Sequence, residues 1–191
     1  MKNSFHVLLL LLFLTGCQQQ NVNRAAVVKS YYSAFDSGNY NALKAITNDS
    51  VTIISGDFTT NYDKEAFYEF YKWDSIFKPT YNTIEIEEEN NTVLVTVAQK
   101  NKRNSFLQNN PLKFKVRVSF TSGKISKLEE LEYINVNWNE WNQQKNALVE
   151  WVQLNHPELD GFVNDMTMKG AMDYLKAIEL FKSRSNREIK Q

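Results

Sequence analysis

The chain has 191 residues, and its 22 Lys and Arg balance its 22 Asp and Glu, so it carries no net charge. A neutral surface offers no long-range field for a polyanion, which excludes nucleic acid as an expected partner. Three prolines and six glycines exclude a low-complexity chain, and the 13% aromatic share points to a large core or a ligand cavity.

The chain opens with Lys2 and an apolar run from Val7 to Leu14, far shorter than the ~20 residues of a membrane-spanning helix. It reads as the apolar region of a signal peptide. Leu14-Thr15-Gly16-Cys17 closes the run and resembles the lipobox of bacterial lipoproteins, in which the Cys is acylated and becomes the first residue after cleavage. Cys17 is the only cysteine, so it has no intramolecular disulfide partner. The resemblance implies a signal peptide over 1–16, lipidation at Cys17 and a place in the bacterial cell envelope. Gln18 after the Cys favours the outer membrane. Several acyl chains make such an anchor permanent. Cleavage removes Lys2 and leaves 175 residues with one net negative charge, a length that suits one domain. Residues 17–23 then form the acylated Cys and a polar tether with a reach of about 20 Å.

Val28, Tyr31, Tyr32 and Phe35 recur at helical spacing, and Gly38 follows as a left-handed terminator. Tyr40, Leu43 and Ile46 mark a second, shorter helix before a β-branched strand over 51–55. Asp63 is placed to cap a third helix whose aromatic face carries Phe67, Phe70, Tyr71 and Phe77, up to Pro79. Strands over 81–89 and 92–100 meet at Asn90-Asn91, a hairpin turn signal. Leu112, Phe114, Val116, Val118 and Phe120 alternate with polar residues, which makes a one-face strand. Ser122-Gly123 turns the chain into a last strand reaching about Val136, with imperfect alternation at 128–131 that predicts a β-bulge. Beyond Asn137 two helical stripes follow. The first carries Trp138, Trp141, Leu148, Trp151 and Val152 and stops at His156-Pro157. The second carries Met168, Met172, Leu175, Ile178 and Phe181, with Asp165 or Thr167 as cap.

The segment Val27-Val28-Lys29-Ser30-Tyr31-Tyr32-Ser33-Ala34-Phe35-Asp36-Ser37-Gly38-Asn39-Tyr40, followed by Leu43, Ile46, Asp49 and Val51, resembles the opening of the NTF2-like superfamily, which includes ketosteroid isomerases and SnoaL-like polyketide cyclases. Asn61-Tyr62-Asp63-Lys64-Glu65-Ala66-Phe67-Tyr68-Glu69-Phe70-Tyr71 is similar to its third helix. The resemblance covers about residues 24–136. It implies an α+β fold, a cone of curved antiparallel sheet with three N-terminal helices, as a domain over 24–137. C-terminal helices over 138–183 form an extension packed on it, and 184–191 form a solvated tail.

The superfamily's isomerases take a proton with a carboxylate at the end of the first strand, assisted by a Tyr on helix one and an acid on a later strand. Tyr31 matches the Tyr. The base position falls on Ile54 and the second acid's near Val116, and neither side chain exchanges a proton. Asp57 is the nearest carboxylate to the base position, in a Ser55-Gly56-Asp57 turn signal. The expected function is therefore non-catalytic binding of a small apolar ligand or an envelope protein partner, with Tyr31, Phe35, Phe67 and Tyr71 lining the cone. One alternative is a SnoaL-like isomerase or cyclase using Asp57 and Tyr31. Another is an interaction scaffold whose cone is plugged by Trp138, Trp141 and Trp151. No cofactor and no metal are expected: His156 suits a helix C-terminus, and Glu85, Glu87, Glu88 and Glu89 suit a solvated hairpin edge. The sequence leaves the ligand and the oligomeric state open.

Overall fold

The computed structural model describes residues 23–188, so the expected signal peptide, Cys17 and all but the last residue of the tether lie outside the described residues. Helix α1 (Arg24–Asp36) starts where the Asn23 side chain accepts the Ala26 N–H at 2.9 Å. It ends in a Schellman motif: Gly38, at φ +65°, donates to the Phe35 carbonyl at 3.2 Å, and Asn39 donates to that of Ala34 at 2.9 Å. Asn39 then caps helix α2 (Tyr40–Ile46), so three residues both stop one helix and start the next.

Strand β1 (Thr47–Ser55) turns through Gly56-Asp57 into β2 (Phe58–Asp63). The sequence pattern gave no sign of β2, because all of it except Tyr62 is exposed and an edge strand needs no alternation. Asp63 accepts from Glu65 and Ala66 at 3.0 and 2.9 Å and caps α3 (Lys64–Ile76). Strands β3 (Thr80–Glu89) and β4 (Thr92–Lys100) form the hairpin expected at Asn90, which sits at φ +52°. A short helix α4 (Lys102–Phe106) precedes β5 (Leu112–Thr121) and β6 (Lys124–Ile134). These two strands join through Ser122 and Gly123, both at positive φ.

The six strands lie in the order β2-β1-β6-β5-β4-β3. The sheet is mixed rather than wholly antiparallel, because β1 pairs with β6 in parallel. Parallel neighbours need a long connection, and everything from β2 to β5 supplies it here. The bulge expected at 128–131 falls on Leu131: Lys115 faces Glu132 while Val116 faces Glu130. A second irregularity, which the pattern did not signal, leaves Ser126 unpaired between Ile125 and Lys127.

The helical extension consists of α5 (Trp138–Asn155), a 3-10 turn at Pro157–Leu159 and α6 (Met168–Glu188). Helix α6 continues through the first residues of the expected tail at 184–191. Two buried clusters result. One fills the cone between α1, α3 and the sheet. The other joins Trp73 of α3 and Phe77 at its C-cap, with Phe106 of α4 and Leu107 at its C-cap, to Leu148, Val152, Tyr174 and Ile178 of the extension. Helix α3 thus has two apolar faces, and the extension occupies the one that the sheet does not. No helix among the described residues is long and apolar enough to cross a membrane.

Candidate functional site

The interior of the cone is the first place to look, since a curved sheet leaves a concave face. Here aromatic rings close it. Tyr31 packs on Tyr32 and Phe35 at centroid distances of 5.2 Å, and Tyr81 meets Tyr32 at 5.2 Å and Phe35 at 5.8 Å. The space left, about 80 Å³, is lined by these rings with Ile53, Phe70, Phe114, Val116, Leu128 and one carboxylate, Glu130. Such a void holds water or a very small solute, whereas drug-sized ligands occupy clefts of about 300–1,000 Å³.

Glu130 shares this face with Leu128, two residues before it, and the bulge that follows brings Tyr133 onto the same face. With Leu131 set aside, Glu130 and Tyr133 point the same way, and the Tyr133 hydroxyl donates to Glu130 Oε2 at 2.5 Å. The Ser55 hydroxyl donates to the same oxygen, tying the end of β1 to β6. Burial first, and the Glu130 charge second, push the Tyr133 hydroxyl well above the ordinary phenol value. Burial does the same to Tyr31, with smaller contributions from Tyr32, Asp74 and Glu130. Both phenols are therefore neutral donors rather than bases near pH 7.

A second carboxylate lies behind Tyr81. Asp74 is 4% exposed and accepts from the Tyr81 hydroxyl at 2.8 Å and from Gln99 Nε2 at 3.3 Å. Gln99 Nε2 also donates to the Tyr81 oxygen at 2.6 Å, and Gln99 Oε1 accepts from Asn104 at 3.0 Å. Burial raises the Asp74 carboxyl to about 6, against the hydrogen bond from Tyr81 and the Arg103 charge. The Arg103 guanidinium itself lies over Trp73 at 4.7 Å, Phe77 at 5.6 Å and Trp141 at 5.7 Å, joining α3, α4 and α5.

Outside the cone, a groove runs between α6 and the corner where α3 gives way to β3. Its wider part has a volume of about 850 Å³, with an apolar wall from Phe35, Tyr71, Ile76, Met172 and Leu175. A narrower part of about 470 Å³ shares Lys78, Thr80, Leu175 and Glu179 with it and reaches Asn101. The two parts adjoin at those shared residues.

Comparison with solved structures bears on the cone. A protein from Kribbella flavida superposes with a TM-score of 0.52 at 11% identity, over 66% of this chain and 96% of that one. A protein from a soil-derived mobile gene cassette gives 0.51 at 12% identity, over 63% and 94%. An NTF2-like protein of unknown function from Cytophaga hutchinsonii gives 0.47 at 15% identity, over 59% and 91%. The chain has the NTF2-like fold. No protein-family model and no curated protein matches the sequence significantly. At these identities the likeness concerns the backbone alone.

Within this NTF2-like cone the residues singled out from sequence separate. Tyr31 and Phe35 line the small interior void, while Phe35 and Tyr71 also line the outer groove. Phe67 is 3% exposed and packs on Tyr62 and Phe70 as core, lining neither space. Asp57 is exposed in the β1–β2 turn and does not line the void, so Asp57 and Tyr31 are not brought together. Gly56, at φ +57°, makes that turn. Val116 is buried on the inner face and Ile54 is half-buried.

The tryptophans do not enter the cone. Trp138 sits edge-on to Tyr133 and to Trp141 at the rim, and Trp151 meets Phe181 at 5.6 Å in the extension. His156 contacts Glu158 at 3.1 Å at the end of α5. Glu88 accepts the Ala25 N–H at 2.7 Å at the start of α1, and no group of His, Cys, Asp and Glu fit to hold a metal occurs among the described residues.

Sequence reasoning missed Asp74 and Glu130. Asp74 lies three and four residues after Tyr71 and Phe70, so helical spacing alone marks it for the buried side. Glu130 lies two residues after Leu128, so strand alternation puts it on the inner face, and its charge at an expected core position was the signal.

Proposed function

We propose that this protein is a non-catalytic binding protein of the bacterial envelope, anchored by acylated Cys17, whose ligand site is the groove between the cone and α6. One observation carries the reading: the groove offers about 850 Å³ where the aromatic-filled cone retains about 80 Å³. A mostly apolar cleft of that size between packed elements is the usual form of a small-molecule site. Met172, 53% exposed and flexible, is suited to adapt to a hydrocarbon surface.

The test uses the mature chain purified without its acyl group and the neutral fluorophore N-phenyl-1-naphthylamine. Saturable binding is expected, weakened at least about tenfold (1.4 kcal/mol) in Met172→Trp, which fills the groove from an exposed position. Unchanged affinity in that variant, or no binding to the parent chain, would overturn the proposal.

A second reading keeps an enzyme in view because Glu130 and Tyr31 face one cavity. It is a proton-transfer enzyme for a very small substrate, with Glu130 in the role that the sequence offered to Asp57. The void admits nothing the size of a steroid or polyketide, which is why binding in the groove is preferred.

A further inference from the structure

The two parts of the groove differ in chemistry. The wide part carries Ile76, Met172 and Leu175 with balanced charges, Lys78 and Lys176 against Asp36 and Glu179, whereas the narrow part is flanked by Lys78, Lys100, Lys102 and Lys182 against a single carboxylate, Glu179. All four lysines are exposed, and among the described residues none of them forms an ion pair. Four ammonium groups around one cleft in a chain with no net charge are a local concentration of positive potential, not a reflection of overall composition.

An independent observation lies at the same end. Asn101 is 6% exposed and lines the narrow part. Its Oδ1 accepts the Asn104 N–H at 2.6 Å, which fixes the amide orientation and leaves Nδ2 as a buried donor with no partner among the described residues. A buried donor without an acceptor costs about 1–3 kcal/mol. Binding that uncovers Nδ2 to an anionic oxygen would relieve that cost while the lysine ammonium groups neutralise the charge. Lysine stems can lie along apolar surface and keep their charged ends at the mouth, so they suit the boundary between a hydrocarbon tail and a polar head.

We infer that the groove binds a single-chain amphiphile with an anionic head, its head held at Lys78, Lys100, Lys102, Lys182 and Asn101 and its hydrocarbon chain lying along Ile76, Met172 and Leu175. The inference rests on the groove being the ligand site and adds the class of ligand. It requires the head and the tail to be recognised in adjoining parts of one groove, and Lys78, Thr80, Leu175 and Glu179 line both parts.

The experiment compares dodecanoate, dodecan-1-ol and dodecyltrimethylammonium, each below its aggregation concentration, as displacers of N-phenyl-1-naphthylamine from the mature, acyl-free chain. Dodecanoate should displace the probe at a concentration at least about tenfold lower than the cation, with the alcohol between them. The double variant Lys100→Glu, Lys102→Glu should weaken dodecanoate at least about tenfold and leave the alcohol unchanged. Both positions are exposed, and unchanged circular dichroism establishes that the variant folds. Equal displacement by all three compounds overturns the head-group assignment and leaves the groove as an apolar site. Absence of probe binding overturns the groove itself. Sedimentation of the acyl-free chain with vesicles containing anionic phospholipid, without displacement by dodecanoate, also overturns the inference, by making the lysines a membrane-surface contact.

Discussion

Asp74 is a buried carboxyl group bonded to Tyr81 and Gln99, and its ionisation couples directly to stability. Burial holds it at about 6 in the folded chain, against an ordinary value of 3.8. Between those values the folded state keeps a proton that the unfolded state has released. The stability this supplies is complete below about pH 4 and is lost as pH rises through about 6. At about 1.4 kcal/mol per pH unit the loss is about 3 kcal/mol. Urea midpoints measured from pH 4 to 7 should therefore fall with rising pH, and Asp74→Asn should remove most of that fall. A variant with the parent's slope would contradict the assignment. The same residue shows what a linear pattern can reveal: helical spacing puts Asp74 beside Phe70 and Tyr71, and the missing information is which partners share its burial. Tyr81, Gln99 and Arg103 come from β3, β4 and α4, and only the tertiary fold assembles them.

Helix α3 is the element on which the molecule turns. Phe67, Phe70 and Tyr71 face the cone, while Trp73 and Phe77 face the extension, where Phe77 is fully buried and meets Tyr174 at 5.7 Å. Removing α5 and α6 would uncover Trp73, Phe77, Phe106 and Leu107 together, an apolar patch of the size that causes aggregation. At about 1.5–3 kcal/mol for each large apolar side chain, a chain ending at Asn137 should melt about 10 °C lower or more, or precipitate. Equal melting temperatures for the truncated and mature chains would show the extension to be a detachable appendage. The helices and their ends are legible because caps are local: Gly38, Asp63 and Asn90 act through their own backbone neighbourhoods. Strand β2 and the parallel β1–β6 pairing are not, because an exposed edge and a strand partner 75 residues away, such as Ser55 with Glu130, leave no local period.

At the scale of the whole molecule, the groove exists only because α6 returns across the α3–β3 corner. Its apolar wall takes Phe35 from α1, Tyr71 from α3 and Met172 from α6. The proposed anchor attaches at the start of α1, while Phe35 to Gly38, which line the groove, lie at the other end of that helix. Expression of the full chain in a bacterial host should send it to the detergent phase on phase separation, and Cys17→Ser should move it to the aqueous phase. Equal aqueous partitioning of both would remove the lipoprotein proposal while leaving the groove untouched.

The sequence by itself determined the elements governed by nearest neighbours: helix caps, tight turns, the alternation of β5, and an order of elements that resembles the NTF2-like fold. It also placed Leu131 near a bulge, because broken alternation is visible in one strand alone. Whether a cone holds a ligand depends on how far rings from different elements interpenetrate. Tyr31, Tyr32, Phe35 and Tyr81 filling the interior was decided only by packing. Periodicity states which face a side chain occupies, not the volume left when two faces meet. For that reason Tyr31 and Phe35 were found as cone residues from sequence, and the larger cavity, between surfaces separated by a hundred residues of chain, became visible only when α6 was seen lying against the cone.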